Sequence, residues 1–150
     1  MKVVLFEPQI PQNAGNVVRT CSVTGCGLIF VRPLGFCIED RWLKRAGLDY
    51  WEGVSLDVVD SLDDLVEGAE SSFVFFSSKA KRLYTQEKYH LDHLLIFGSE
   101  THGLPRSFTQ KWEERGVTIP MKHGARCLNL ATSVGIGLYE AIRQTKMLCR

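Results

Sequence analysis

The chain has 150 residues, of which 45% are hydrophobic and 23% charged, and a formal net charge of +1. A chain of this length reads as a single domain, 1–150, able to bury roughly two-thirds of its unfolded surface without a metal or a disulfide. The composition excludes disorder, and the lack of any apolar run near ~20 residues excludes a membrane-spanning helix.

The opening MKVVLFEPQIP combines a short apolar run with an acidic Glu7 and no small-residue cleavage site. It reads as a first strand rather than a signal peptide, and the protein is expected in the cytoplasm. Apolar runs of strand length follow at 28–31, 54–59, 73–76, 93–97 and 117–119. Between them lie helix signals. A helix over 13–24 opens after Pro8-x-x-Pro11 with Asn13 as a possible cap. Ser61 precedes Leu65 and Val66 as a capping signal, a short helix can start at Pro105 or Arg106, and 128–147 carries apolar residues at helical spacing. Strands alternating with helices predict an α/β fold with a mostly parallel sheet flanked by helices.

Five cysteines, Cys21, Cys26, Cys37, Cys127 and Cys149, are odd in number and contain no C-x-x-C pair. That argues against a disulfide framework and a zinc ribbon and predicts reduced thiols, mostly buried. Residues 1–75 hold 6 Lys+Arg against 11 Asp+Glu, whereas 76–150 hold 12 against 6, with clusters at Lys79, Lys81, Arg82 and at Lys122, Arg126. The asymmetry permits an anionic partner on one face; ordinary solvated charge explains it equally well.

Chemistry must come from the loops, and three stand out. In P-Q-N-A-G-N-V-V-R-T at 11–20, Asn16 and Arg19 are three apart and share a helix face. With the helix N-terminus they suit an anion such as phosphate. The alternative is that Asn13 caps and Arg19 is an ordinary surface side chain. The second loop, Gly98-Ser-Glu-Thr-His-Gly103-Leu-Pro105, follows the run 94–97, and its two glycines allow close approach of a ligand to backbone. The third segment runs from Ile119-Pro-Met121 through Gly124 and Arg126 to Leu128-Asn-Leu130 at the start of the last helix. Two junctions so alike predict neighbouring loops around one ligand, apolar enough for an aromatic ring.

Other features are read as structural. The loop at 98–103 matches neither G-x-G-x-x-G nor G-x-x-x-x-G-K-[ST], which counts against a nucleotide-dependent oxidoreductase, and Gly135-Ile-Gly137 reads as helix packing. His90 and His93 lack a carboxylate or cysteine at metal spacing, so no metal is expected; His102 is expected at the surface near the ligand. Trp42, Tyr50 and Trp51 either stack on bases or pack between helix and sheet, the second being preferred.

Three blocks, EPQIPQNAGNVVRTC at 7–21, IFGSETHGLP at 96–105 and IPMKHGARCLNLATSVGIGLYEA at 119–141, resemble the SPOUT class of S-adenosylmethionine-dependent RNA methyltransferases, most closely its small TrmL-type tRNA 2′-O-methyltransferases. The segment RPLGFCIEDRWLKRAGLDYW at 32–51 is also similar, so the likeness covers nearly the whole chain. The resemblance implies a sheet whose C-terminal part is tied in a trefoil knot, an exception to the rule against threaded chains. It implies S-adenosylmethionine as cofactor, held by Phe76, Ser77, Gly98, Glu100, Gly103, Ile119, Met121, Cys127 and Leu128. Cys127 stands where Ser or another small residue is usual; it is similar in size and keeps its backbone amide.

The implied reaction moves a methyl group to the ribose 2′-hydroxyl of the tRNA wobble nucleotide, cytidine or carboxymethylaminomethyl-uridine, in the anticodon loop. Arg19 and Asn16 would be catalytic, with Asn13, Asn129 and Arg126 binding substrate. A guanidinium stays protonated below about pH 12, so Arg19 is preferred as a phosphate and alkoxide partner, with a literal base as the second reading. The family also implies a homodimer with active sites at the subunit interface. The apolar residues Leu128, Leu130, Ala131, Val134, Leu138, Ala141 and Ile142 are either that interface or part of the chain's own core. A methyltransferase acting on another tRNA or rRNA ribose, or a catalytically weak RNA-binding module, is the alternative.

Overall fold

The computed structural model describes residues 1–38, 53–68 and 72–148; Trp42, Tyr50, Trp51 and Cys149 lie outside them. Seven strands form one sheet: β1 Lys2–Phe6, β2 Gly27–Val31, β3 Leu56–Val59, β4 Phe73–Phe76, β5 Arg82–Leu83, β6 Leu94–Phe97 and β7 Gly116–Thr118. Their order is β3-β2-β1-β6-β4-β7-β5, and every pairing is parallel.

Parallel strands covered on both faces need apolar side chains at every position, and FVFF in β4 and LLIF in β6 are buried throughout. Alternate residues then feed two cores. On one face Val3, Leu5, Phe30, Val74, Phe76, Leu95 and Phe97 pack with Val17, Val18, Val134 and Leu138. These last four come from α1, Pro11–Thr24, and α4, Leu130–Thr145. On the other face Val4, Ile29, Val31, Phe75 and Ile96 meet Leu62, Val66 and Phe108, carried by α2, Leu62–Glu67, and α3, Arg106–Lys111.

The predicted elements are present with shifted ends. Helix α1 begins at Pro11, not Asn13, because proline's fixed φ and missing N–H suit the first helical position. Its cap residue is Ile10, and Gly25 at φ 68 closes it. Ser61 does cap α2, its Oγ accepting from Asp64 N at 3.1 Å. Helix α4 starts two residues later than its apolar pattern suggests, because Asn129 Oδ1 accepts from Thr132 N at 3.2 Å and fixes the cap there. Strand β5 was not foreseen: two residues carry no periodicity.

Gly137 is a packing glycine, as expected: a Cβ there would lie 2.5 Å from Phe76 Cζ, while one at Gly135 would meet nothing within 4 Å. The expectation of mostly buried thiols fails among the four described cysteines. Cys21 and Cys26 are buried, Cys37 and Cys127 exposed, and all four are free. Burial pushes the Cys21 thiol up to about 12, with Cys26 beside it adding to the shift. His93 lies buried at the start of β6, its ring edge-on to Tyr89 and His90.

Candidate active site

A parallel sheet delivers the C-terminal ends of all its strands to one edge, which is where α/β folds place ligands. Here the order β1-β6-β4-β7 sets four connections side by side: 7–10, 98–104, 77–81 and 119–129. The two glycine-bearing junctions are therefore not direct neighbours, since β4 separates β6 from β7. The segment after β4 is the third wall of the site.

The loop after β6 is a tight hairpin. Ser99 N donates to Gly103 O at 3.2 Å, and Gly103 N returns a bond to Ser99 O at 2.9 Å. Gly103 sits at φ 69, in the left-handed region that glycine enters without penalty. Gly98 is fixed by space instead: a Cβ there would lie 2.4 Å from Gly103 C and 2.5 Å from Leu104 N. At the loop's tip the Thr101 hydroxyl and His102 Nδ1 share a hydrogen bond at 2.7 Å, and His102 is exposed as expected.

Phe76 is buried. Its ring stacks on Phe97, so only its main chain remains for a ligand. Ser77 N donates to Val117 O at 2.9 Å, and Ser77 Oγ accepts from Lys79 N at 3.2 Å, folding 77–80 into a turn. Ile119, Met121 and Arg126 line a cleft of about 430 Å³ together with Ser78, Ala80 and Leu83. Those last three were missed by sequence reasoning, and nothing in the segment 77–83 marks them as cleft residues. Cys127 is exposed, and Leu128 is half-buried.

Glu100, expected beside the cofactor, is bonded inward. Its Oε2 accepts from Gln9 N at 2.8 Å, while Oε1 accepts from Ile10 N at 3.1 Å and from Asn13 Nδ2 at 3.1 Å. Asn13 Oδ1 in turn accepts from Asn129 Nδ2 at 2.8 Å. Asn13 is thus neither a helix cap nor a surface group for substrate: it is 7% exposed, and both ends of its amide are used within the protein. Asn129 belongs to the same chain of bonds.

Asn16 and Arg19 are exposed on α1. Because the helix starts at Pro11, Arg19 lies eight residues in, about 12 Å along the axis at 1.5 Å per residue. The helix N-terminus and Arg19 therefore do not form the single anion site that a start near Asn13 would have given. Of the basic clusters, Lys81 is paired with Glu113 and Arg82 with Glu87. Lys79, Lys122 and Arg126 are exposed around the cleft.

Residues 1–139 match the SpoU rRNA methylase family. A protein of Listeria monocytogenes serotype 4b (strain F2365) is 44% identical over 146 residues, covering 95% of this chain and 86% of its own. Its name assigns it, provisionally, tRNA (cytidine(34)-2'-O)-methyltransferase activity. A solved structure concerning the 2-OH methylation of C/U34 on tRNA superposes with a TM-score of 0.90 at 40% identity, covering 95% of this chain and 94% of that one. An rRNA methyltransferase from Sinorhizobium meliloti, solved with AdoMet bound, gives a TM-score of 0.85 at 25% identity over 95% of this chain and 55% of that one. Matched along nearly its whole length, the chain belongs to the SpoU rRNA methylase family.

Proposed function

We propose that this chain transfers a methyl group from S-adenosylmethionine to the ribose 2′-hydroxyl of the wobble nucleotide, cytidine or carboxymethylaminomethyl-uridine, in the tRNA anticodon loop. The observation that carries the reading is the agreement between one sheet edge and one relative. The three diagnostic blocks converge on a cleft-bearing edge, in a chain 40% identical along 95% of its length to a structure concerned with C/U34 methylation.

The edge suits the cofactor. The cleft offers Leu83, Ile119, Pro120 and Met121 as apolar groups for the adenine ring, and the turn at 77–80 borders it through Ser78 and Ala80. S-adenosylmethionine supplies a methyl group on a sulfonium. Phe76 and Ser77 contribute main chain, Gly98 and Gly103 an open backbone, and Ile119, Met121, Cys127 and Leu128 the remaining wall. The same proposal ties the C-terminal part of the sheet in the trefoil knot of the family.

Methyl transfer forms an O–CH₃ bond as the S–CH₃ bond breaks, and the hydroxyl proton passes to solvent. A guanidinium is a poor base, so the contribution of Arg19 is to hold the adjacent phosphate and stabilise the developing alkoxide, with Asn16 beside it on the helix. Arg126, exposed at the rim, meets the RNA backbone.

The active unit is a homodimer. Leu130, Val134, Leu138, Ala141 and Ile142 are buried in the chain's own core, which leaves the half-buried Leu128 and Ala131 of that stripe available to an interface. Val23 of α1 and Tyr139 of α4 are among the exposed apolar groups that can serve it. No helix among the described residues is long and apolar enough to cross a membrane.

The test is incubation with labelled S-adenosylmethionine and unmodified total tRNA, with label mapped to nucleotide and atom, alongside sedimentation to give the mass. Label on the wobble 2′-oxygen from a dimer is expected. Label elsewhere, or a fully active monomer, overturns the corresponding part.

A further inference from the structure

We propose that Glu100 is a positioning residue that, through Asn13 and Asn129, makes the cofactor loops and the catalytic helix α1 move as one body. The inference rests on the preceding reading of the site and adds a coupling between its two halves.

The bonds run unbroken across the three blocks. From the loop after β6, the Glu100 carboxylate holds the backbone N–H groups of Gln9 and Ile10 and the Asn13 amide. Asn13 Oδ1 accepts from Asn129, and Asn129 Oδ1 accepts from Thr132 N in the first turn of α4. The partners are 87 and 116 residues apart in sequence. Helix α1 has no side-chain cap of its own at Ile10, so a carboxylate from another loop supplies its N-terminus with acceptors and negative charge. The turn it secures is conformationally costly: Glu7, directly before it, has φ 46, a region that residues other than glycine rarely enter. Gly35 N also donates to Pro8 O at 2.9 Å, so the held turn anchors the next segment as well.

Polarity makes the relay directional. An ionised carboxylate can only accept, so Asn13 must present its NH₂ to Glu100 and its carbonyl to Asn129. Asn129 must then donate to Asn13 and turn its own carbonyl to Thr132. The charge on Glu100 therefore sets the amide orientation of two residues it reaches in succession. Charge-assisted bonds of this kind are about twice as strong as neutral ones. Asn16 and Arg19 ride on the helix whose start is fixed this way. Asn129 ends the 119–129 wall of the cofactor site.

The experiment reverses the first bond. Asn13→Asp sets two carboxylates against each other, whereas Glu100→Gln with Asn13→Asp restores a donor–acceptor pair with the opposite sense and leaves the Asn129 bond intact, at the cost of the Ile10 N–H bond that the same Glu100 oxygen accepts. Three readouts are taken: hydrogen exchange over 7–14 without cofactor or RNA, S-adenosylmethionine Kd, and kcat at saturating cofactor. Asn13→Asp is expected to lose exchange protection, weaken cofactor binding about tenfold and lower kcat; the double variant recovers part of the loss in binding and kcat, while the Ile10 amide stays less protected. Additive losses without recovery overturn the proposal, as does a kcat that stays normal at saturating cofactor while only the melting temperature falls. Asn129→Ala serves if Asn13→Asp does not fold. It should weaken cofactor binding while keeping the 7–14 protection, and unchanged binding contradicts the relay. The exchange and binding readouts need no methyl acceptor, so failure of the wild type to methylate tRNA would strike the functional reading and leave the coupling separately decided.

Discussion

Phe76 and Phe97 stack across adjacent strands with ring centroids 4.4 Å apart and planes within 12° of parallel. They are register partners at the C-terminal ends of β4 and β6, so the pair forms the floor beneath the turns at 77–80 and 98–103. Helix α4 closes on this floor through Gly137, where a Cβ would lie 2.5 Å from Phe76 Cζ. Gly137→Ala must displace that ring, costing about 1–3 kcal/mol in overpacking against the ~0.5–1 kcal/mol that alanine returns in a helix. Thermal unfolding should show a drop of a few degrees. Gly135→Ala, facing open space, should raise the melting temperature instead; equal effects at both positions would contradict the packing account.

At Gly98 the obstruction is main chain rather than the end of a side chain. Gly98→Ala would drive a methyl into Gly103 C and Leu104 N at 2.4 and 2.5 Å, so the hairpin after β6 must open. An overpacking cost of about 1–3 kcal/mol localised there corresponds to roughly 5- to 150-fold weaker S-adenosylmethionine binding, which titration calorimetry would measure.

Arg19 is exposed on α1, while the cleft proposed for the cofactor is built from the segments after β4 and β7. Arg19→Ala should therefore lower kcat by roughly 100-fold or more, the scale of one lost electrostatic partner in a transition state, while leaving the cofactor Kd within about twofold. A loss of cofactor affinity matching the loss of rate would place Arg19 in the wrong half of the site.

His93 gives stability a pH dependence. Burial holds its imidazole below the ordinary 6.5, outweighing the upward pull of Glu87 and the smaller one of Asp92, and its Nδ1 has no hydrogen-bond partner among the described residues. The unfolded chain then binds the proton more readily than the folded one, so this contribution is present above pH 6.5 and is lost as pH falls through that value toward the folded pKa. Denaturant unfolding at a series of pH values should show stability declining below 6.5, with a shallower decline in His93→Leu.

How much of this was legible in the sequence follows from how local each signal is. Strands such as 73–76 and 94–97 announce themselves because burial on both faces demands unbroken apolar runs, whereas Arg82–Leu83 carries no pattern at all. The start of α1 was misplaced because two signals competed, Asn13 as cap and Pro11 as first residue, and proline's geometry won. The neighbours of the site were legible as three blocks; the polar relay among them was not. Its bonds join residues 87 and 116 positions apart, and nothing at Glu100 or Asn13 alone says that they face each other rather than a ligand. The turn after β4 was missed for the opposite reason: Ser78 and Ala80 are too ordinary to signal a cleft wall.

The claim at the centre of the account is that the methyl acceptor is a wobble ribose 2′-oxygen, and two synthetic anticodon stem-loops test it most directly. They are identical except that one carries ribocytidine and the other 2′-deoxycytidine at the wobble position, and each is incubated with the enzyme and labelled S-adenosylmethionine. Label is predicted on the ribose-containing loop alone. Equal labelling of both would place the methyl group on another atom and contradict the account.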